Sequence, residues 1–161
     1  MNPHYSIRFA TAADSAQIFF LIQSLAKFEK LSHEVSASES QLKQNLFDLE
    51  SPAEVLIAET NEGKAIGFAL FFHTFSTFLG KKGLYLEDLF VIPEFRSSGI
   101  GMALLSQLAK IALQRNCGRM EWSVLNWNQK AIELYLRLGS KPMNEWTMHR
   151  LTEPEIKKLA E

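Results

Sequence analysis

In Leu84-Tyr-Leu-Glu-Asp-Leu-Phe-Val-Ile-Pro-Glu-Phe-Arg-Ser-Ser-Gly-Ile-Gly-Met-Ala-Leu-Leu105, two hydrophobic periods meet. The first half is rich in β-favouring apolar residues and stops at Pro93, which has no N–H to give to a ladder, so 84–92 is read as a strand. Gly101, Leu104, Leu105, Leu108 and Ala112 then recur at spacings of three and four, the apolar face of a helix over 98–115 that Ser98 and Gly99 would open. Between them lies Arg96-Ser-Ser-Gly99-Ile-Gly101. Its glycines let a ligand approach the main chain, the first helical turn leaves several N–H groups without partners, and Arg96 adds a fixed positive charge. That combination suits a phosphate or pyrophosphate. Neither a P-loop nor a dinucleotide fingerprint is present, and on its own this turn is equally readable as a glycine-softened strand-to-helix connection.

The chain has 161 residues, enough for one sizeable core, and is read as a single domain over 1–161. A net charge of -1 gives no general attraction to nucleic acid or to an anionic membrane, so any charge selectivity must be local. The single cysteine, Cys117, excludes an internal disulfide and a multi-cysteine metal site and fits a reducing compartment. No apolar run approaches the roughly 18 residues needed to span a bilayer, and the stretch Met1–Phe9 lacks the apolar core of a signal peptide. A cytoplasmic protein is expected. His4, His33, His73 and His149 show no metal-ligand spacing, so no metal is expected. Trp122, Trp127 and Trp146 are read as core aromatics before substrate walls, and Cys117 as a small buried group.

Outward from the central stretch, 5–9 alternates as a short strand. Thr11 to Asp14 offers caps for a helix whose apolar face runs from Ile18 through Leu25 and Phe28 to Leu31. A second amphipathic helix, with Leu42, Leu46 and Leu49 in register, is expected over 38–49. Strands over 55–59 and 65–75 flank the turn Thr60-Asn-Glu-Gly63. After the central helix come a strand over 119–125, a helix over 128–138 ended by Gly139, and a last strand over 147–151. The order β-α-α-β-β-β-α-β-α-β is that of a mixed α/β (α+β) domain with a partly antiparallel sheet.

Leu84-Tyr-Leu-Glu-Asp-Leu-Phe-Val91, Arg96-x-x-Gly-Ile-Gly101, Trp127-Asn128, Tyr135-x-x-x-Gly139 and Leu25-Ala-Lys-Phe-Glu29 together resemble the GNAT superfamily of N-acetyltransferases, in its diamine (spermidine/spermine) branch. The likeness covers nearly the whole chain. It implies a mixed, mostly antiparallel sheet flanked by helices, with acyl-CoA bound at a splayed central strand, and it implies a homodimer. Phe28 stands where that branch often has a tyrosine, and Glu145-Trp146 matches its acidic-Trp ending only with a gap.

The resemblance assigns the pyrophosphate of acetyl-CoA to Arg96 and the N–H groups of Ser97, Ser98, Gly99, Ile100, Gly101 and Met102. The pantetheine arm would pair like an added strand along Leu89, Phe90 and Val91. Asn128 is placed to meet the cofactor, to cap its helix, or both. An acceptor amine, protonated at neutral pH, must lose a proton before it attacks the thioester. Glu87 is preferred for that step, with Asp88 beside it. Adjacent strand residues point to opposite faces unless the backbone bulges between them, so which acid reaches the cleft stays open. Phe28, Glu29, Glu121 and Glu145 complete the substrate lining, although Glu121 and Glu145 are more often plain surface charges. Asn128, Ala131, Ile132 and Tyr135 share one helical face, and the resemblance makes Tyr135 the general acid for the departing thiolate.

The expectation is an acetyl-CoA-dependent N-acetyltransferase acting on a primary amine of a small di- or polyamine by direct attack in a ternary complex. The alternatives are a thialysine- or lysine-like amine, a protein amine, and, outside enzymes, a non-catalytic acyl-CoA-binding module.

Overall fold

A computed structural model describes residues 4–161; Met1–Pro3, part of the N-terminal stretch read above, lie outside the described residues. The elements are β1 (Tyr5–Phe9), α1 (Ser15–Glu29), α2 (Glu39–Phe47), β2 (Ala53–Thr60), β3 (Ala65–Ser76), β4 (Lys81–Val91), α3 (Ile100–Gln114), β5 (Arg119–Trp122), α4 (Gln129–Arg137) and α5 (Glu153–Leu159). The strands form one sheet in chain order, antiparallel throughout except for the parallel pair β4–β5. All five strands and α1 to α3 lie before Ser123, and α4 and α5 belong to a separate compact unit, Val124–Glu161.

Helix boundaries follow local chemistry. Ser38 caps α2 through a reciprocal pairing with Gln41. Lys30, at φ 62, closes α1 in the left-handed region, so that helix stops at Glu29 rather than running on to Leu31. Leu49, expected on the apolar face of α2, lies beyond the helix and is fully exposed.

The strand expected over 147–151 does not form, and α5 follows it instead. Alternation makes a segment fit to be a strand, but a strand exists only where another supplies ladder partners. β5 likewise ends at Trp122, short of the expected 125. Trp127 and Trp146 are 51% and 74% exposed, so the core reading fails for both. Cys117 is half-buried rather than fully enclosed.

The register sorts the central strands onto two faces. Opposed residues share a face, so Phe68, Leu70 and Phe72 stand with Phe90, Asp88 and Tyr85, while Ala69, Phe71 and His73 stand with Leu89, Leu86 and Leu84. α1 covers the first face, where the Phe28 ring meets Phe90 at 6.4 Å between centroids. α3 covers the second: Arg115 lies 5.9 Å over Phe71, and a Cβ at Gly67 would come within 3.5 Å of the Ile100 side chain. Ile18 and Leu21 from α1 and Leu104 and Leu108 from α3 are fully buried, giving one core layer on each side.

Candidate active site

β4 carries its irregularity at Glu87. Leu86 opposes Phe71 and Asp88 opposes Leu70, so Glu87 is the extra residue of a β-bulge. The insertion changes the parity of the strand: Leu86 faces α3, and Asp88 faces α1. Without the bulge, Asp88 would lie on the same face as Leu86. Glu87 itself is exposed.

The same bulge marks where the sheet opens. β4 pairs with β5 only from Gly83 to Leu86, yet it continues to Val91 on its β3 side. Residues 87–91 therefore present one main-chain edge without a strand partner among the described residues, the splay to which the resemblance assigns Leu89, Phe90 and Val91. At its far end the Val91 carbonyl accepts a hydrogen bond from Arg96 Nε at 2.9 Å.

The turn beyond the strand has the geometry an anion needs. Ser97 and Gly99 both sit at positive φ, 62 and 85, which swings the chain from a short 3-10 turn at Pro93–Phe95 into α3. Ala103 makes the first bond of the helix, to the Gly99 carbonyl at 2.9 Å, so the N–H groups of Ile100, Gly101 and Met102 precede the ladder and have no helical acceptor. A Cβ on Gly99 would meet nothing within 4 Å, so the approach to these donors is open. Ser98 Oγ donates to the Phe95 carbonyl at 2.5 Å and pins the turn. The residues present fit a pyrophosphate.

The substrate side is built around carboxylates. Asp88 has its pKa pushed up from 3.8 to about 6, first by burial and then by the charges of Glu87 and Glu29. Burial also raises Glu29, the last residue of α1. Neither acid makes an ion pair among the described residues. Phe28 adjoins them, stacked under the Arg96 guanidinium at 4.3 Å. Phe28 and Phe90 also form one wall of a cavity of about 600 Å³ whose lining includes Phe20, Phe95, Lys27 and Lys64.

The remaining sequence-derived residues are placed as follows. Glu121 is ion-paired with Arg119 on its own strand at 2.8 Å, so its charge is already met locally. Glu145 sits in an exposed turn of the second unit. Asn128 is a helix N-cap, its side chain accepting from the Ala131 N–H at 3.4 Å. Tyr135 lies on α4, half-buried, and burial raises its hydroxyl pKa. Lys27 and Lys64 take no part in the site expected from the sequence. Lys27 was legible inside Leu25-Ala-Lys-Phe-Glu29, but Lys64 is an ordinary turn residue with no local signal.

Residues 20–140 match the acetyltransferase (GNAT) family. The chain belongs to that family. Among similar proteins, the thialysine N-epsilon-acetyltransferase of Mus musculus is 36% identical over 96% of this chain and 96% of its own. The human spermidine/spermine N(1)-acetyltransferase-like protein 1 is 31% identical over 98% of this chain and 24% of its own length. An integron cassette protein from the mobile metagenome of V. cholerae superposes with a TM-score of 0.82 at 26% identity, covering 99% of this chain and 98% of that one. The fold and the family implied by the sequence motifs are thus both borne out: this is a GNAT acetyltransferase, of a family that uses acetyl-CoA, and its relatives acetylate amines.

Proposed function

We propose that this acetyltransferase moves an acetyl group to a primary amine of a small di- or polyamine or a similar small amine, by direct attack in a ternary complex. The observation that carries the reading is Asp88: a half-buried carboxylate without an ion-pair partner among the described residues, within reach of the charge of Glu29, at the bulge where β4 parts from β5. A passive acyl-CoA-binding module would have no use for so costly an arrangement.

Acetyl-CoA supplies an activated thioester when bound. Arg96 and the donors of Ser97, Ser98, Gly99, Ile100, Gly101 and Met102 would hold its pyrophosphate, and the open main chain of Leu89, Phe90 and Val91 its pantetheine arm. Glu29 and Glu87 attract the cationic acceptor and neutralise its remaining charge. From sequence alone, proton removal falls to Glu87. Burial and a raised pKa favour Asp88 for that step, directly or through a water, because a base poised near 6 is ionised at neutral pH and still a competent proton acceptor. Tyr135 keeps the general-acid role implied by the resemblance. Its raised pKa holds the hydroxyl protonated, as a donor requires. Asn128 remains a candidate cofactor contact, although its side chain also serves as a cap.

Lys27 and Lys64 favour a second reading, a lysine-like acceptor whose carboxylate meets the basic rim of the cavity. The mouse relative points the same way by name. We further propose a cytoplasmic homodimer. The lone, unpaired Cys117 supports the compartment, and Met143, Met148 and Leu151, 62%, 67% and 52% exposed, support a surface covered by a second copy. No described helix is long and apolar enough to cross a membrane.

CoA release measured over a panel of amines tests the reading. Diamines should outperform monoamines of equal length, with an advantage that shrinks as salt rises. Efficient turnover of neutral alcohols, or equal rates for mono- and diamines, overturns it.

A further inference from the structure

Tyr85 and Asp88 are three residues apart on β4, a spacing that puts side chains on opposite faces of a regular strand. The bulge at Glu87 cancels that difference. Tyr85 opposes Phe72 and Asp88 opposes Leu70, so both stand on the face covered by α1, two β3 residues or about 7 Å apart along the strand.

That face is closed at one end and open at the other. Phe68 and Phe90, where the last turn of α1 reaches the sheet, are 0% and 4% exposed. Further along, Leu70 and Asp88 are only half-buried, and so are Phe72 and Tyr85 beyond them. Leu70 and Phe72 thus make an apolar floor with a carboxylate at one end and an aromatic ring at the other. The ring is held in place. Its centroid lies 5.2 Å from that of Phe72 at an inclination of 33°, and its hydroxyl shares a hydrogen bond with Ser123 Oγ at 2.8 Å. Ser123 is the first residue beyond β5, so this bond is made where β5 leaves β4. On the β5 side Glu121 opposes Tyr85, but its charge is already met by Arg119 at 2.8 Å, which leaves the ring itself as the feature offered to a ligand.

A short α,ω-diamine has the matching form, two cations joined by methylenes. With one nitrogen at Asp88 and the carbon chain over Leu70 and Phe72, the second nitrogen, still an ammonium, comes to Tyr85. The face of a tyrosine ring attracts such a cation. A monoamine of equal length brings only a methyl group there and gains nothing from the ring's charge distribution.

We propose, resting on the amine-acetyltransferase reading, that Tyr85 is a specificity-determining residue. Its ring binds the ammonium of the acceptor that is not acetylated, and its separation from Asp88 sets the preferred chain length.

The experiment compares wild type, Tyr85→Leu and Tyr85→Phe on unbranched α,ω-diamines of three to six carbons and on 1-aminobutane, by CoA release, with acetyl-CoA binding read by calorimetry. In wild type, kcat/KM should peak at 1,4-diaminobutane or 1,5-diaminopentane. Tyr85→Leu should lower kcat/KM for the best diamine about tenfold and flatten the chain-length profile, while 1-aminobutane and the Kd for acetyl-CoA stay within about twofold. Tyr85→Phe keeps the ring and should stay within about threefold of wild type. The proposal is overturned if 1-aminobutane shares the Tyr85→Leu loss equally, if the diamine advantage survives Tyr85→Leu, or if Tyr85→Phe loses as much as Tyr85→Leu, since the hydroxyl would then be the contact. The wild-type series decides independently of how the variants fold: equal rates across three to six carbons also overturn the proposal. Wild-type protein that acetylates mono- and diamines equally, or no amine at all, overturns the functional reading, and this proposal with it.

Discussion

Two groups of acidic residues lie in the same unit of this protein under opposite conditions. At the sheet edge, Arg8 clamps Asp14 through both terminal nitrogens at 2.8 Å and Glu59 through Nε and Nη2 at 2.9 and 2.7 Å. Asp14 also accepts from the Thr11 N–H at 2.7 Å, and its pKa is pressed down from 3.8 to about 2. At the β4 bulge, Glu29, Glu87 and Asp88 form no ion pair among the described residues, and Asp88 rises to about 6. Burial opposes the charge in both places, but only the first supplies a cation to answer it. The difference separates a structural acid from the one to which the proposed mechanism gives the chemistry. Asp14 stabilises the fold, whereas Asp88 stores unfavourable electrostatics that a cationic amine would relieve.

The largest expected effect breaks the second group. Asp88→Asn keeps shape and removes the base, so kcat/KM for a diamine should fall by about 10²- to 10⁴-fold, the usual scale for a positioned base. Glu87→Gln should cost clearly less; if it costs more, the base is Glu87. Stability should move the other way. Because Asp88 has a raised pKa, the folded state binds the extra proton between the ordinary 3.8 and about 6, so its share of stability is present at low pH and lost as pH rises through that window. The rise corresponds to roughly 3 kcal/mol, and the Asp88→Asn variant should be no less stable than wild type at pH 7.

Next comes the first group. Arg8→Ala leaves Asp14 and Glu59 without their cation and should cost about 2–3 kcal/mol by denaturant unfolding, less than for a fully buried pair because Arg8 is 37% exposed. Rate constants per folded molecule should stay within about twofold. Here the sign is ordinary: Asp14 is depressed, so its contribution is present above 3.8 and lost as pH falls toward 2. A large loss of kcat in well-folded Arg8→Ala protein would erase the distinction between the groups.

The smallest effect tunes the second group without breaking it. Glu29→Gln removes one of the charges that raise Asp88, so the acid limb of kcat/KM should move down by a few tenths of a pH unit while the diamine KM rises severalfold. An unmoved limb would mean that Glu29 does not act on Asp88.

How much of this was legible in the sequence depends on the range of the signal. The β4 to α3 passage was readable because period-2 and period-3.6 patterns meet at Pro93 within one short stretch, and the acids within it were visible by type. Which face Asp88 takes was not readable, since it turns on one inserted residue whose register is set by pairing with β3. The positive charge of Arg96 was plain, but its stacking on Phe28 joins residues far apart in the chain and leaves no local trace. Residues 147–151 are the reverse case: local alternation is present, and no ladder forms.

The most direct test of an uncompensated, base-competent Asp88 is the pH dependence of kcat/KM for a diamine, measured in wild type and in Asp88→Asn. That ratio reports the free enzyme. Wild type should show an acid limb with its midpoint near 6, and the variant's residual activity should lack it. A wild-type midpoint near the ordinary carboxylate value of about 4, or a limb that survives unchanged in Asp88→Asn, would contradict the account.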